Sequence, residues 1–377
     1  MLAARILFFC LFNLTAMAQT VLFRSDRDGY SSYRIPALIA TQKGTLLAFC
    51  EGRKDGAGDA GNIDIVLKRS TDSGKSWSGQ TVIWDDGPNT CGNPCPVIDE
   101  KTGTIWLLLT HNRGDDDEGD IIKKTAKGSR TVWVSASHDD GVTWSKPVDI
   151  TATTKKQEWG WYATGPGVGI QIKHGPHKGR LVIPCDFSYD DPEGNVRGGP
   201  YEYGSHAIYS DDHGKTWQLG GLITPKVNEC QVAELADGNG SLLMNMRSYF
   251  GRGLRTHSIS RDGGLSWTSP ADAPTLVEPV CQASLLRYSW PDSRDRSGIL
   301  LFLNPASNRQ RHNMTLRASY DDGKTWPVAQ TLHTGPSAYS SLAVLPDRNI
   351  AALYEAGEKS PIETIRFEII PAVAVRK

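Results

Sequence analysis

Short runs in which apolar or β-branched residues alternate with polar ones recur along the whole chain, while few stretches follow the 3.6-residue period of a buried helix face. The runs at 63–69, 131–136, 205–209, 254–259 and 313–318 therefore read as strands. Each is followed at once by one eight-residue pattern, Ser-x-Asp-x-Gly-x-(Ser/Thr)-Trp, at 70–77, 137–144, 210–217, 260–267 and 319–326. By average residue usage such a match arises by chance less than about once in a million start positions, so five copies mean a repeated architecture. The Asp-x-Gly centre suits a tight turn in which the carboxylate accepts backbone N–H bonds and glycine takes a positive φ. The closing Trp is expected to restart a strand and bury its ring. A strand, a turn and a strand repeated at about 60 residues read as blades of four strands, and residues 19–377 hold six of them. The expected fold is an all-β six-bladed β-propeller forming one domain. The sixth blade has no box and is expected from strands at 350–354 and 363–370 joined by the segment near Val21.

Residues 1–18 break this pattern. Arg5, the apolar run 6–14, and Ala16 and Ala18 predict a secretory signal peptide cut before Gln19, and hence a secreted or periplasmic protein. Phe8 and Phe9 before Cys10 argue against lipid attachment. No other segment reaches 18 uninterrupted apolar residues, so no membrane span is predicted. A net charge of −1 favours neither nucleic acid nor an anionic membrane as partner. Affinity for an anion would have to come from a local cluster. The six cysteines after residue 18 read mostly as buried small residues, with Cys91 and Cys95 the only close pair.

Several familiar signals fail on context. Residues 56–61 match G-x-G-x-x-G, but the run that follows, 62–67, is a strand and not the helix a pyrophosphate site requires. The acidic run 115–120 lacks EF-hand spacing and reads as a solvated loop. Zinc spacings and a G-x-S-x-G elbow are missing too, so neither metal nor cofactor is called for.

Charged groups inside apolar strands are the informative exceptions. Arg34 stands in Tyr33-Arg34-Ile35-Pro36, Arg247 follows the run 242–246, and Arg311 precedes 314–318. Together with the repeated boxes, Asn228-Glu229-Cys230-Gln231 and Ala338-Tyr339-Ser340, this arrangement resembles the sialidase (neuraminidase) family of bacterial and animal exo-α-sialidases. The resemblance covers nearly all of 19–377. It implies a retaining hydrolase of terminal α-linked sialic acid on a six-bladed propeller, acting on sialylated glycans. Arg34, Arg247 and Arg311 would then clasp the substrate carboxylate, a task for which the planar, always-charged guanidinium fork is suited.

By the same resemblance Tyr339 is the nucleophile and Glu229 takes its proton. The anomeric carbon of sialic acid bears a carboxylate, and a like-charged nucleophile about 4 Å away would meet about 4 kcal/mol of repulsion at an effective dielectric of 20. A neutral phenol avoids that, but only about 0.1% of an ordinary tyrosine is ionised at pH 7, so it needs a base. Glu234 is the competing base. Asp59 is the expected general acid/base, with Asp55 as rival, on a glycine-flanked loop able to close over substrate; Arg53 would hold that loop and touch a sugar hydroxyl. Asn93 and Glu118 fall where the family places groups near the N-acetyl arm of the sugar and the acid loop. Trp161, in Trp159-Gly160-Trp161-Tyr162, offers a face to a further sugar, unless the segment is a packed strand. Two other outcomes share the scaffold: a trans-sialidase, and a sialoglycan-binding propeller without catalysis.

Overall fold

The computed structural model describes residues 19–292 and 298–376; the expected signal peptide lies outside them. The chain is all-β, built of antiparallel meanders, with two short α-helices at Glu118–Lys123 and Thr151–Thr154. The meander Ser32–Ala40, Leu46–Arg53, Ile63–Ser70, Thr81–Trp84 touches the next, Thr90–Ile98, Ile105–Asn112, Thr131–Ser137, Val148–Asp149, through a single parallel bridge from Ile63 to Thr90. A third runs through Tyr162–Thr164, Leu181–Asp190, Tyr201–Ser210 and Gln218–Ile223, and a fourth through Val227–Glu234, Leu242–Ser248, Leu254–Ser260 and Ala271–Val277. The last sheet holds seven strands, starting with Ser284–Ser289 and Ile299–Pro305, because the 17-residue strand Val328–Val344 bends, its first half pairing with His312–Ser319 and its second with Ile350–Ala356. Thr364–Ile370 follows, and Thr20–Arg24 from the other end of the described chain adds the outermost strand. The pairing expected for the boxless C-terminal unit is thus observed.

Apolar seams fill the space between consecutive meanders. Ala37, Phe49 and Leu67 meet Cys91 and Leu107, and Val182 and Ala207 meet Val232 and Met244. Leu38 and Leu46 of the first meander meet Leu353 and Phe367 of the last, so the ends of the chain share one core. Cys50, Cys91, Cys95, Cys185, Cys230 and Cys281 are all buried free thiols, as the composition suggested.

All five boxes start on the last residue of a strand. In the first, Ser70 Oγ donates to Asp72 at 2.8 Å and accepts from Gly74 N at 2.8 Å, while Asp72 accepts from Ser76 N at 2.9 Å and Ser76 Oγ at 2.5 Å. Bonds from the Ser76 hydroxyl and amide, with that from Ser70, hold the Asp72 carboxyl down at about 2. The other four boxes repeat the set. Trp217 and Trp326 are buried and the other three box tryptophans half-buried; only Trp217 leads straight into a strand, the rest being followed by an irregular segment. In those four the strand the sequence predicts still begins two to four residues on, at Thr81, Val148, Ala271 and Val328.

The box glycine is a contact point between meanders. Gly214, at φ +87°, lies where a Cβ would come 2.2 Å from the Trp106 ring of the preceding meander, and a Cβ on Gly74 would meet Phe367 at 2.4 Å. Gly214→Ala should lower unfolding stability by roughly 2–4 kcal/mol through backbone strain and overpacking. Gly238→Ala, at φ +73° with open space around it, should lose only the backbone part, about 1–2 kcal/mol. Urea titration of both variants measures the difference.

Candidate active site

Where the inner strands carry polar site residues, their register breaks. Pairing of Ser32–Ala40 with Leu46–Arg53 shifts between Arg34 and Ala37, and Ile35 takes φ +62°. The Thr90–Ile98 strand shifts between Gly92 and Cys95, with Asn93 at φ +52°. Asn228 and Glu229 fall in the shift between Val227 and Cys230, opposite Arg247, and Tyr339 in that between Ser337 and Ser340. A bulge of this kind bends the strand and re-aims a side chain that strict alternation would send elsewhere.

The re-aimed groups meet in one cavity of about 690 Å³. Arg34, Arg53, Asp59, Asn93, Trp161, Glu229, Arg247, Arg311 and Tyr339 all line it, as does Glu118. Tyr339 is 6% exposed, and its hydroxyl donates to Glu229 Oε1. Glu229 Oε2 accepts from Arg247 at 2.8 Å, and the same guanidinium nitrogen stands 3.4 Å from the phenol oxygen. Arg34 and Arg311 lie over the Tyr339 ring at 4.9 and 5.8 Å from its centre. Burial, reinforced by Glu229, pushes the phenol well above its ordinary range against the pull of the three arginines. Tyr339 is therefore a neutral hydrogen-bond donor to Glu229.

Each arginine is held differently. Arg34 Nε donates to Glu355 at 2.9 Å, and this wholly buried carboxylate also accepts from the amides of Ile35 and Tyr339 at 3.0 and 3.1 Å. Arg247 is bound to Glu229. Arg311 donates to the Val280 carbonyl at 3.1 Å and makes no ion pair among the described residues, which leaves it the freest cation of the three.

At the rim, Arg53 NH1 binds Asp59 at 2.8 Å and the carbonyls of Ala57 and Gly58 at 2.7 and 2.9 Å, so it holds the loop. Its other edge rests on Glu51, which also accepts from Asn93 N at 2.8 Å. Asp59 keeps 57% of its side-chain surface in solvent. Protein crowding raises its carboxyl, but Arg53 and Arg34 outweigh that and hold it below the ordinary value. Asp55 does not line the cavity; it accepts from Asn62 N at 2.9 Å and closes the loop on itself. Glu234 is also elsewhere, accepting from the amides of Lys173 and His174. Trp159 stacks on Phe187 as a packing residue, whereas Trp161 lines the cavity beneath the Arg130 guanidinium, 4.0 Å away.

Sequence reasoning missed Glu51, Arg130, Asp186, Tyr203 and Glu355. Glu355 was open to the argument used for Arg34, since it is the one charge in the apolar strand Ile350–Ala356. Within the acidic run, Asp117 caps the helix Glu118–Lys123, and Glu118 accepts from Tyr203 Oη at 2.6 Å and pairs with Arg197. That run is a capped helix at the cavity mouth and not only a solvated loop.

Residues 44–352 match the model of the BNR repeat-like domain. A sialidase of Micromonospora viridifaciens is 34% identical over 343 residues, covering 88% of this chain and 51% of its own length. An exo-alpha-sialidase of Arthroderma benhamiae is 32% identical over 368 residues, covering 88% of this chain and 81% of its own. The chain belongs to the sialidase family. Among solved structures, Hadza microbial sialidase Hz136 superposes with a TM-score of 0.81 at 31% identity, over 95% of this chain and 69% of that one. The chain spans about half the length of its Micromonospora relative.

In this member of the sialidase family Glu355 is what permits a buried Arg34. Removing one partner of a buried pair strands the other charge, so Glu355→Ala should lower stability by about 3–5 kcal/mol in urea titration. Glu355→Gln, which keeps an acceptor for the amides, should lose less.

Proposed function

We propose that this chain is a retaining exo-α-sialidase that hydrolyses terminal α-linked sialic acid of glycoproteins, glycolipids and oligosaccharides, on a six-bladed propeller exported by residues 1–18. The observation that carries this reading is the Tyr339 hydroxyl hydrogen-bonded to Glu229 on a floor shared by Arg34, Arg247 and Arg311. Six successive four-stranded meanders, seamed pairwise with the last against the first, support the propeller.

In this scheme Arg311 and the outward faces of Arg34 and Arg247 take the substrate carboxylate. Tyr339 Oη attacks the anomeric carbon as Glu229 accepts its proton, and Asp59 protonates the departing glycosidic oxygen. Water then attacks the tyrosyl glycoside, giving its proton to Asp59 while Glu229 returns one to Tyr339. Two displacements retain configuration. Substrate binding assists the acid step, because a carboxylate engaging Arg34 offsets one of the cations that hold Asp59 ionised.

Proton NMR of the protein acting on sialyllactose is the direct test. Free sialic acid appearing first as the α anomer is expected. Lactose release without free sialic acid would make the chain a transferase, and no release would leave a binding protein. Tyr339→Phe should lose turnover by on the order of 1,000-fold or more while sialic acid still binds, measured by calorimetry. Asp59→Ala should slow sialyllactose far more than an activated aryl sialoside, whose leaving oxygen scarcely needs a proton. Equal losses on both substrates would remove Asp59 from the acid role.

A further inference from the structure

Beside Glu229 the cavity wall contains a second carboxyl group that the scheme above does not use. Asp186 stands in the strand Leu181–Asp190, paired with Ala163 on one side and Ser205 on the other. It lines the cavity yet has no exposed surface. Its Oδ1 accepts from Asn228 Nδ2 at 2.8 Å; its Oδ2 has no partner, and among the described residues no Lys or Arg pairs with it. Ser205 Oγ, directly across the ladder, donates to the Asn228 carbonyl at 2.5 Å. Asn228 is thus gripped at both side chain and backbone by the neighbouring sheet. It is the first residue of the bulge whose second residue is Glu229.

We propose that Asp186 is a positioning residue for the Glu229–Tyr339 pair, acting as an un-ionised carboxylic acid that anchors the Asn228–Glu229 bulge without placing a second negative charge beside Glu229. The inference rests on the sialidase reading of that pair. A carboxylate with no exposure, one hydrogen bond and no paired cation is costly to maintain, whereas the neutral acid keeps the Asn228 bond. The surrounding charges agree. Burial drives the Asp186 carboxyl well upward, and Glu229 and Glu118 add to this against the weaker opposing pull of Arg247 and Arg130. The other titratable neighbours, Tyr162, Tyr249, Cys185 and Cys230, are all pushed up by burial and bring no positive charge.

A neutral acid also suits the chemistry. When Glu229 accepts the Tyr339 proton its negative charge is lost, and a neutral Asp186 leaves Arg247 as the charged partner that Glu229 faces before that step. An ionised Asp186 would instead set a second negative charge against the base that has to receive the phenol proton.

The test uses Asp186→Ala, Asp186→Asn, Asn228→Ala and the Asp186→Ala/Asn228→Ala double variant on sialyllactose, with urea titration of each. Asp186→Ala should lower kcat by on the order of 10- to 100-fold with KM little changed, as loss of positioning does. Asp186→Asn, which preserves shape and neutrality, should restore most of that loss and leave the acid limb of the kcat/KM profile in place. The double variant should be no slower than the slower single one, because both cut the same tether. Infrared spectroscopy supplies a readout independent of activity: the wild-type protein at pH 7 should show an un-ionised carboxyl band that Asp186→Asn lacks. Absence of that band, a displaced acid limb in Asp186→Asn, or additive losses in the double variant would overturn the proposal. A wild-type protein that shows the band but does not turn over sialyllactose would refute the sialidase reading and, with it, a positioning role in that reaction.

Discussion

Bringing three guanidinium groups to one phenol ring is the constraint on which the rest of the structure depends. Two unit charges about 7 Å apart repel by about 2 kcal/mol at an effective dielectric of 20, and burial adds a desolvation cost for each. Apolar packing cannot offset this, so counter-charges must be built in. Glu355 neutralises Arg34 and at the same time accepts the amides of Ile35 and Tyr339, which fixes the arginine and the tyrosine relative to each other with one side chain. Glu229 neutralises Arg247 and receives the phenol proton bond. Arg311 alone has only a carbonyl, and the positive charge left over defines where an anion belongs.

Those counter-charges work only if strands present adjacent residues to one side, which regular pleating forbids. The register breaks solve this. At Arg34–Ala37, Gly92–Cys95, Val227–Cys230 and Ser337–Ser340 an inner strand gains one residue over its partner, and the polar group turns toward the common cavity while the apolar residues before and after stay in the seams. Pro36 and Pro94 sit inside two of these breaks, where a missing N–H is harmless because the ladder is already interrupted. The boxes do the complementary job at the turns, where Gly74 and Gly214 let one meander approach an aromatic ring of its neighbour. Convergence at the cavity and close approach at the turns are thus two results of the same meander repeated with small departures.

The boxes were legible in the sequence because every bond that defines them lies within seven residues. Asp72, Ser70 and Ser76 satisfy one another locally, so pattern and structure coincide. The strand before each box was equally plain from alternation. Arg34 and Tyr339 were visible as polar residues in apolar strands, but what makes them a site is Glu355, 321 residues from Arg34, and nothing local announces that pairing. Asp186 was invisible for a related reason: its neighbour Asn228 belongs to another sheet, and a lone Asp in a strand reads as solvent-facing until burial is known. Asp59 could be separated from Asp55 only once the loop was seen to aim one inward and to consume the other in a turn.

Burial divides the cavity into parts with different duties. Tyr339, Glu229, Arg34 and Glu355 are buried residues on strands, cross-linked by charged hydrogen bonds, and their geometry is set before any ligand arrives. Under the proposed mechanism preorganisation matters most there, since an attacking oxygen, its base and a carboxylate clamp have to coincide within fractions of an ångström. Asp59 instead sits on a loop with most of its side chain in solvent, tied by Arg53 and more distantly by Arg34. A general acid must give up a proton and later take one from water, so it needs access to solvent and a charge that responds to the ligand. Under the proposed mechanism an arginine shared between the floor and the rim would supply that response: a ligand claiming Arg34 would release Asp59 from part of its restraint while Arg53 still holds the loop. In the proposed scheme the nucleophile thus sits on the most rigid element and the acid on the most adjustable one, and Arg34 couples the two.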